Sequence, residues 1–355
     1  MSDTQKTAAT KQAEATTAAA PTGQDAPETR GIEKKLLAHA LNTALADAMA
    51  ADEKVLLMGE DIGKLGGVFR VTDGLQDRFG SARVLDTPLA EAGIVGSAIG
   101  LAMRGYRPVV EIQFDGFVYP AFNQIVSQLA KYRSRTAGAI TLPVVIRIPY
   151  GGHIGAVEHH QESPEAYFAH TAGLTVVAPS NPNDAYWMLR QAIESDDPVI
   201  FFEPKAKYWQ KGEVDFSAPA APLHRTRLAR TGTDATLVGF GAMVTTLLQA
   251  AEIAESEGTS LEVIDLRSLA PIDYTPLFES VRKTGRLIVA QEAPQHASLG
   301  SEIAATVAEH CFYTLQAPVL RVSGYDVPFP AAQLESYYLP DADRVLEAVD
   351  RTMHY

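Results

Sequence analysis

The chain is poor in the features that mark several large classes of protein. It has one cysteine, Cys311, which excludes an internal disulfide framework and a cysteine-rich zinc site and favours a reducing cytoplasm. No apolar run approaches the roughly 18 residues of a membrane span. Lys and Arg number 30 against 43 Asp and Glu, and the net charge of −13 argues against nucleic-acid binding. The sequence therefore predicts a cytoplasmic globular protein without a membrane or nucleic-acid partner.

Common phosphate-binding and nucleophile motifs are also missing. The chain has no GxGxxG, GxxxxGK[ST] or GxSxG sequence, so dinucleotide-binding, P-loop and α/β-hydrolase functions lose their main support. Zinc binding by His159, His160 and Glu162 is disfavoured, because adjacent residues of an extended segment point to opposite sides and no HExxH helix exists.

Apolar strands alternate with helical patterns along most of the chain, which predicts an α/β protein with parallel sheets covered on both faces. Residues 1–30 lack large apolar side chains and are predicted to be a disordered tail. An α/β domain is predicted over residues 31–212, a linker without clear periodicity over 213–230, and a second α/β domain over 231–355. Helices are expected over residues 34–51 and 119–132.

Four of the nine histidines fall within eighteen residues, between positions 153 and 170. Their segment follows an apolar strand at residues 143–149 and precedes a short helix, for which Ser163 is the expected N-cap and Pro164 the first helical residue. Loops that follow strands of an α/β sheet are the usual place for a site, and imidazole moves protons near neutral pH. The histidine segment is therefore the first candidate for chemistry.

Two glutamates follow predicted strands in the first half of the chain. Glu60 comes directly after an apolar strand, and Glu91 precedes a helix of small apolar residues. A glutamate at a helix start often only complements the helix dipole. A carboxylate held against so little polar surface is, alternatively, suited to sharing a proton.

These segments together resemble the β subunits of the thiamine-diphosphate-dependent E1 component of 2-oxo acid dehydrogenase complexes. The resemblance spans roughly residues 33–353 and implies a pyrimidine-type thiamine-diphosphate-binding domain followed by a transketolase C-terminal-like domain. The motifs that carry it are Leu57-Met-Gly-Glu-Asp61, Asp86-Thr-Pro-Leu-Ala-Glu91, Glu111-Ile-Gln-Phe114, Pro120-Ala-Phe-Asn-Gln-Ile-Val126, His160-Gln-Glu-Ser-Pro-Glu-Ala-Tyr-Phe-Ala-His170, Phe201-Phe-Glu-Pro-Lys205, Asp265-Leu-Arg-Ser-Leu269, Pro271-Ile-Asp273 and Asp326-Val-Pro-Phe-Pro330.

The resemblance implies three catalytic residues. Glu91 matches the glutamate that protonates N1′ of the cofactor's aminopyrimidine, and Glu60 matches a second carboxylate beside it in a proton relay. His160 matches the histidine that acts in acyl transfer to lipoyl, whereas His170 is expected to be structural.

The same resemblance implies a cofactor pocket made by Glu91 and Glu60 with three further residues. Phe117 matches the aromatic residue that packs on the aminopyrimidine, Gln113 supports the pocket, and Leu89 lends its backbone to the ring. The motifs as a whole look more like branched-chain 2-oxo acid enzymes than pyruvate or acetoin enzymes, although many branched-chain relatives have tyrosine where Phe117 stands.

The other half of the cofactor site is missing. Family members hold the diphosphate and magnesium through Gly-Asp-Gly and a later Asn-Asn, which this chain lacks. The resemblance therefore implies an α subunit that holds magnesium, an α2β2 heterotetramer, a 2-oxo acid substrate, and docking on the E2 lipoyl acyltransferase core. The alternatives are a non-catalytic docking scaffold and a transketolase-like enzyme, although the latter carries both halves of the site on one chain.

Two further expectations concern ions and docking. Relatives often hold potassium through backbone carbonyls, and the matching positions are Val144, Ala192, Ser195 and Asp197, the last replacing the usual asparagine. Residues 321–355 hold six acidic residues against three arginines, which favours docking of a basic E2 domain there, although such residues are also common on any soluble surface.

Overall fold

The computed structural model describes residues 30–217 and 221–355. The predicted disordered tail, apart from Arg30, lies outside the described residues. None of the described helices is both long and apolar enough to cross a bilayer.

The first half of the chain builds the larger sheet together with its covering helices. Its strands are Ile32–Leu36 (β1), Val55–Gly59 (β2), Val84–Asp86 (β3), Arg107–Glu111 (β4), Val145–Tyr150 (β5), Thr175–Val177 (β6), Val199–Pro204 (β7) and Lys211–Asp215 (β8). Its α-helices are Leu37–Ala51 (α1), Leu75–Phe79 (α2), Glu91–Met103 (α3), Tyr132–Arg135 (α4), Glu165–Ala169 (α5) and Pro182–Glu194 (α6).

Six of these strands pair in parallel in the order β6-β7-β5-β4-β2-β3. The strands read as continuous apolar runs because both faces are buried. Val145 and Val199 face α1 and α6, whereas the next residues along, Ile146 and Ile200, join the core that includes α3. Parallel strands bring their carboxyl ends to one edge, which we call the carboxyl edge, and the loops that leave it are therefore neighbours.

The second half forms a five-stranded sheet in the order β14-β13-β10-β11-β9. The strands of this half are Arg227–Arg230 (β9), Ala235–Gly239 (β10), Leu261–Asp265 (β11), Ser268–Ala270 (β12), Leu287–Pro294 (β13) and Leu320–Gly324 (β14), of which β12 does not belong to this sheet. The α-helices of this half are Met243–Ser256 (α7), Thr275–Thr284 (α8), Leu299–Cys311 (α9), Glu335–Tyr338 (α10) and Ala342–Met353 (α11).

The two halves share a core. The strand β12 follows β11 in the chain but pairs antiparallel with β6 of the first sheet. Phe240, Leu266 and Ile303 of the second half lie in the same buried cluster as Ile146 and Phe202 of the first. The packing therefore holds the carboxyl edge of the first sheet against the second half.

Several local predictions are wrong. The predicted helix over residues 34–51 begins only at Leu37, because Ile32–Leu36 is a strand that pairs with Lys211–Asp215. That second strand, together with Arg227–Arg230, occupies both ends of the segment predicted as a linker without regular structure.

Two helix predictions in the first half also fail in detail. Residues 119–132 are not one α-helix but a series of short 3₁₀ and π turns, in a segment where Pro120 removes a backbone donor. Ser163 is not an N-cap: the helix begins at Glu165, and Pro164 takes the cap position without a side-chain hydrogen bond.

Candidate functional site

The carboxyl edge collects most of the residues that the sequence singled out. Glu91 follows β3, Glu60 follows β2, and Gln113 follows β4 by two residues. His160 lies in the loop after β5, which we call the histidine loop (residues 151–164). Because β3, β2, β4 and β5 are consecutive in the sheet, these four side chains stand in order along one edge.

Glu60 and Glu91 form a pair of buried carboxylates. Burial raises the pKa of Glu60, and the negative charges of Glu91 and Asp61 raise it further. The Oε1 atom of Glu60 has no hydrogen-bond partner within the described residues. No ion pair joins either glutamate to a cation in the part of the chain that the structure describes. The surroundings of Glu60 therefore favour its protonated form.

Gln113 supports the backbone beside this pair. Its Nε2 donates to Oδ2 of Asp61 over 3.2 Å. Asp61 follows Glu60 and adopts a φ of 57°, a left-handed conformation that is unfavourable for residues other than glycine, asparagine and aspartate. Gln113 therefore contacts the turn that presents Glu60.

His160 lies among aromatic rings. Its imidazole stacks on Phe114, with ring centroids 4.0 Å apart, and meets the edge of Phe117 at 5.0 Å. Its Nδ1 lies 2.9 Å from the carbonyl oxygen of His159. Burial lowers the pKa of His160, the hydrogen bond to the carbonyl oxygen of His159 acts in the opposite direction, and the charge of the His159 ring lowers the pKa further.

The other predicted residues occupy different environments. Leu89, in the loop between β3 and α3, is 75% exposed, and its backbone contact with a cofactor stays a prediction. His153 is exposed and points toward Glu292, with 3.9 Å between Nε2 and Oε1. His170 lines a separate cavity of about 640 Å³ with Tyr274, so the histidines do not form one cluster.

The candidate potassium positions already have partners. The carbonyl oxygen of Val144 accepts the amide of Val199 over 2.9 Å, and that of Ala192 accepts the amide of Ser195 over 3.3 Å. The carbonyl of Ser195 accepts Nη1 of Arg107 over 3.0 Å, and Asp197 pairs with Arg133. The guanidinium of Arg107 thus lies against the carbonyl of Ser195, and the potassium site stays a prediction.

Two sets of charged residues at this edge were not predicted to have a role. Lys205, at the end of β7, donates to Oδ1 of Asp115 over 2.5 Å, and both are buried. Arg147 lies between Glu111 and Glu203 on adjacent strands, with contacts of 2.6 and 2.7 Å. The signal in the sequence was a charged residue within or directly after an apolar strand.

Comparison with known proteins identifies the family. Residues 33–210 match the family described as "Transketolase, pyrimidine binding domain", and residues 224–345 match "Transketolase, C-terminal domain". Among solved structures the chain is similar to a "Split gene transketolase, inactive beta4 tetramer", with a TM-score of 0.75 and 26% identity over 90% of this chain and 98% of the other.

Curated relatives are closer in sequence. The chain is 67% identical to the "Pyruvate dehydrogenase E1 component subunit beta" of Leifsonia xyli subsp. xyli, over 93% of this chain and 97% of the relative. It is 54% identical to the "3-methyl-2-oxobutanoate dehydrogenase subunit beta" of Mycobacterium tuberculosis, over 89% and 91%. The predicted family and fold are confirmed: this chain belongs to the E1 β subunits of the 2-oxo acid dehydrogenase complexes and has their transketolase-like two-domain α/β fold.

Proposed function

We propose that this chain, joined to an α subunit in an α2β2 heterotetramer, decarboxylates a 2-oxo acid and passes the acyl group to the lipoyl group of E2. The observation that carries the proposal is the buried pair of Glu60 and Glu91, which has no paired cation in the described residues and lies on the same edge as His160. Buried carboxylates without a cation are destabilising, so their presence favours a catalytic use.

The residues at the carboxyl edge fit the aminopyrimidine half of thiamine diphosphate. The unpartnered Oε1 of Glu60 can accept a hydrogen bond, and the half-buried ring of Phe117 offers a face for packing. Glu91, Gln113 and the backbone of Leu89 complete the proposed pocket. When bound, the cofactor supplies the electron sink for decarboxylation.

Side chains of this chain are proposed to transfer the protons. Glu91 holds and releases the proton at N1′ of the aminopyrimidine, and Glu60, whose pKa is raised by burial and by Glu91, takes part as the next proton holder. The imidazole of His160 can accept or donate a proton during transfer to lipoyl. His160→Ala should therefore reduce transfer to a lipoyl domain more than it reduces activity with an artificial electron acceptor.

The α subunit is proposed to hold the diphosphate and its magnesium ion, because this chain lacks the Gly-Asp-Gly and Asn-Asn motifs. Calorimetry on the isolated chain with thiamine diphosphate and Mg²⁺ should show binding weaker than micromolar, whereas α2β2 should bind tightly and decarboxylate. Tight binding by the isolated chain contradicts this division of the site. An assembled α2β2 that binds the cofactor but has no activity supports the scaffold alternative instead.

The substrate is proposed to be a branched-chain 2-oxo acid, on the strength of the motifs over residues 160–170 and 201–205 and of the relative named for 3-methyl-2-oxobutanoate. Pyruvate is the second candidate, because the relative at 67% identity is named for it. The ratio of kcat/KM for 3-methyl-2-oxobutanoate to that for pyruvate, measured on α2β2, decides between them. A ratio above one supports the branched-chain acid, and a ratio below one supports pyruvate.

A further inference from the structure

Three successive residues of the turn after β4, at positions 114–116, approach the histidine loop closely. We call residues 114–117 the aromatic turn. Phe114 carries the ring on which His160 stacks, and Oδ2 of Asp115 accepts the backbone amide of Glu162 over 2.9 Å. A Cβ atom on Gly116 would collide with the carbonyl oxygen of His159. The two segments therefore fit together closely around His160.

Lys205 anchors this unit to the sheet. It follows the last residue of β7, and its Nζ donates to Oδ1 of Asp115 over 2.5 Å. Asp115 thus uses one carboxylate oxygen for the histidine loop and the other for Lys205. Since β7 is paired along its length with β5, Lys205 gives the aromatic turn a rigid support.

Asp115 and Lys205 each favour the charged form of the other. Burial raises the pKa of Asp115 to about 6, while the charge of Lys205 and hydrogen bonds from Lys205 and from the backbone amides of Asp115 and Glu162 act in the opposite direction. Burial lowers the pKa of Lys205, while Asp115 raises it, with smaller contributions from Glu292 and Glu335 of the second half. Removing one member leaves the other buried without its ion-pair partner.

We propose that Asp115 and Lys205 are positioning residues that hold the imidazole of His160 against Phe114 and Phe117 in the orientation needed for acyl transfer. This inference rests on the function proposed above for His160. Neither residue touches the reacting atoms: Asp115 acts through the amide of Glu162 and the aromatic turn, and Lys205 acts through Asp115. Small displacements of a catalytic group lower rates strongly, which gives such a pair a measurable effect.

The test uses Asp115→Asn and Lys205→Met in the assembled α2β2 enzyme. Asparagine keeps the size of Asp115 and removes its charge, so this variant carries the test if Lys205→Met does not assemble. Transfer of the acyl group to an isolated lipoyl domain is expected to fall by about 10- to 100-fold. Activity with an artificial electron acceptor should fall less than twofold. Equal losses in the two assays overturn the proposal.

Two further variants distinguish an effect through His160 from a general effect on the fold. In a His160→Ala enzyme, neither substitution should lower lipoyl transfer further, and an undiminished additional loss would show that the pair acts through the fold as a whole and not through His160. Glu262→Gln is the matched control, since Glu262 is a buried carboxylate of the second sheet that is ion-paired with Lys283. Its ratio of transfer to acceptor activity should equal that of the native enzyme.

Amide hydrogen exchange gives a readout that does not depend on turnover. Loss of the Asp115 charge should speed exchange of the Glu162 amide by about tenfold, because a hydrogen bond to a charged acceptor is weakened. Unchanged exchange contradicts the proposed contact. The two proposals fail separately: if His160→Ala leaves transfer intact, the role of His160 is wrong, whereas if only His160→Ala reduces transfer, the positioning role is wrong.

Discussion

Two groups of buried glutamates lie on the same sheet and have opposite surroundings. Glu111 and Glu203 flank Arg147, which donates to both over 2.6 to 2.9 Å, and Tyr208 adds a hydrogen bond of 2.6 Å to Glu203. Glu60, which lies with Glu91 a short distance along the carboxyl edge, keeps one buried oxygen without a partner among the described residues. The first group is paired with an arginine, whereas the second has no cation partner in the described part of the chain.

The difference separates a structural role from a functional one. A buried carboxylate that is fully paired contributes to a defined packing and has little left to offer a ligand. A buried carboxylate next to another of the same charge is held at a cost in stability, and it keeps a proton more readily. The contrast predicts that changes to the Arg147 group alter folding, whereas changes to the Glu60 group alter catalysis.

Arg147→Met should have the largest effect on stability, because it removes the cation that pairs with both Glu111 and Glu203. Two buried glutamates would then face each other without a cation, which costs about 3–5 kcal/mol. Urea unfolding measures the loss. Glu194→Gln removes the exposed carboxylate that pairs with Arg190 on α6 and should change stability by less than about 0.5 kcal/mol. Similar losses in both variants would contradict the structural role of the Arg147 group.

Glu165→Gln tests another buried carboxylate, which lies outside the row formed by Glu60, Glu91 and Gln113. Neither oxygen of Glu165 has a hydrogen-bond partner in the described ranges, and burial, with a smaller effect of Glu292, raises its pKa to about 8 from an ordinary 4.5. The folded state therefore binds more protons than the unfolded state between pH 4.5 and 8, and the stability contributed by Glu165 falls as the pH rises through this window.

The variant should remove this dependence. At pH 9 Glu165→Gln is expected to be more stable than the native chain by on the order of a few kcal/mol, and near pH 5 the two should be equal. Thermal unfolding at a series of pH values measures the difference, with the exposed Glu194→Gln as control. Parallel stability profiles for native and variant chains would show that Glu165 is not the titrating group.

Asp343→Lys should give the smallest effect, on association with E2. Asp341 is the N-cap of α11 and accepts the amide of Arg344 over 2.9 Å, so reversing its charge would also disturb the helix. Asp343 is exposed in the first turn and can be reversed alone. Association should slow by less than about tenfold and depend less on salt. Glu53→Lys, an equal change of charge in the first half, should leave the rate unchanged, and equal effects of both would place the docking surface elsewhere.

The sequence predicted the parts of the fold that depend on local patterns. The apolar strand expected at residues 143–149 appears as Val145–Tyr150, and the helix expected over residues 34–51 ends at Ala51. The strand Ile32–Leu36 was missed because its lysines and glutamate resemble a helix start, and its partner Lys211–Asp215 is far away in the chain. Pairing of distant segments has no local signal.

The residues of the candidate site were also predicted only where a local signal exists. Glu60, Glu91 and His160 could be selected because each directly follows a strand or matches a family motif. The bond between Lys205 and Asp115 joins residues 90 positions apart, and neither residue reveals its partner in the sequence. The stacking of His160 on Phe114 is likewise a product of two loops from adjacent strands, and only the folded chain brings them together.

The central claim is that the carboxylate of Glu91 moves a proton on the bound cofactor and has no role in holding the fold. The most direct test is the exchange rate of the C2 proton of thiamine diphosphate bound to α2β2, measured by NMR after Glu91→Gln. Exchange should be lost, since an amide cannot give and retrieve the proton, while assembly is retained and thermal stability is equal to or above that of the native enzyme. Exchange at a near-native rate in the Glu91→Gln enzyme would contradict it.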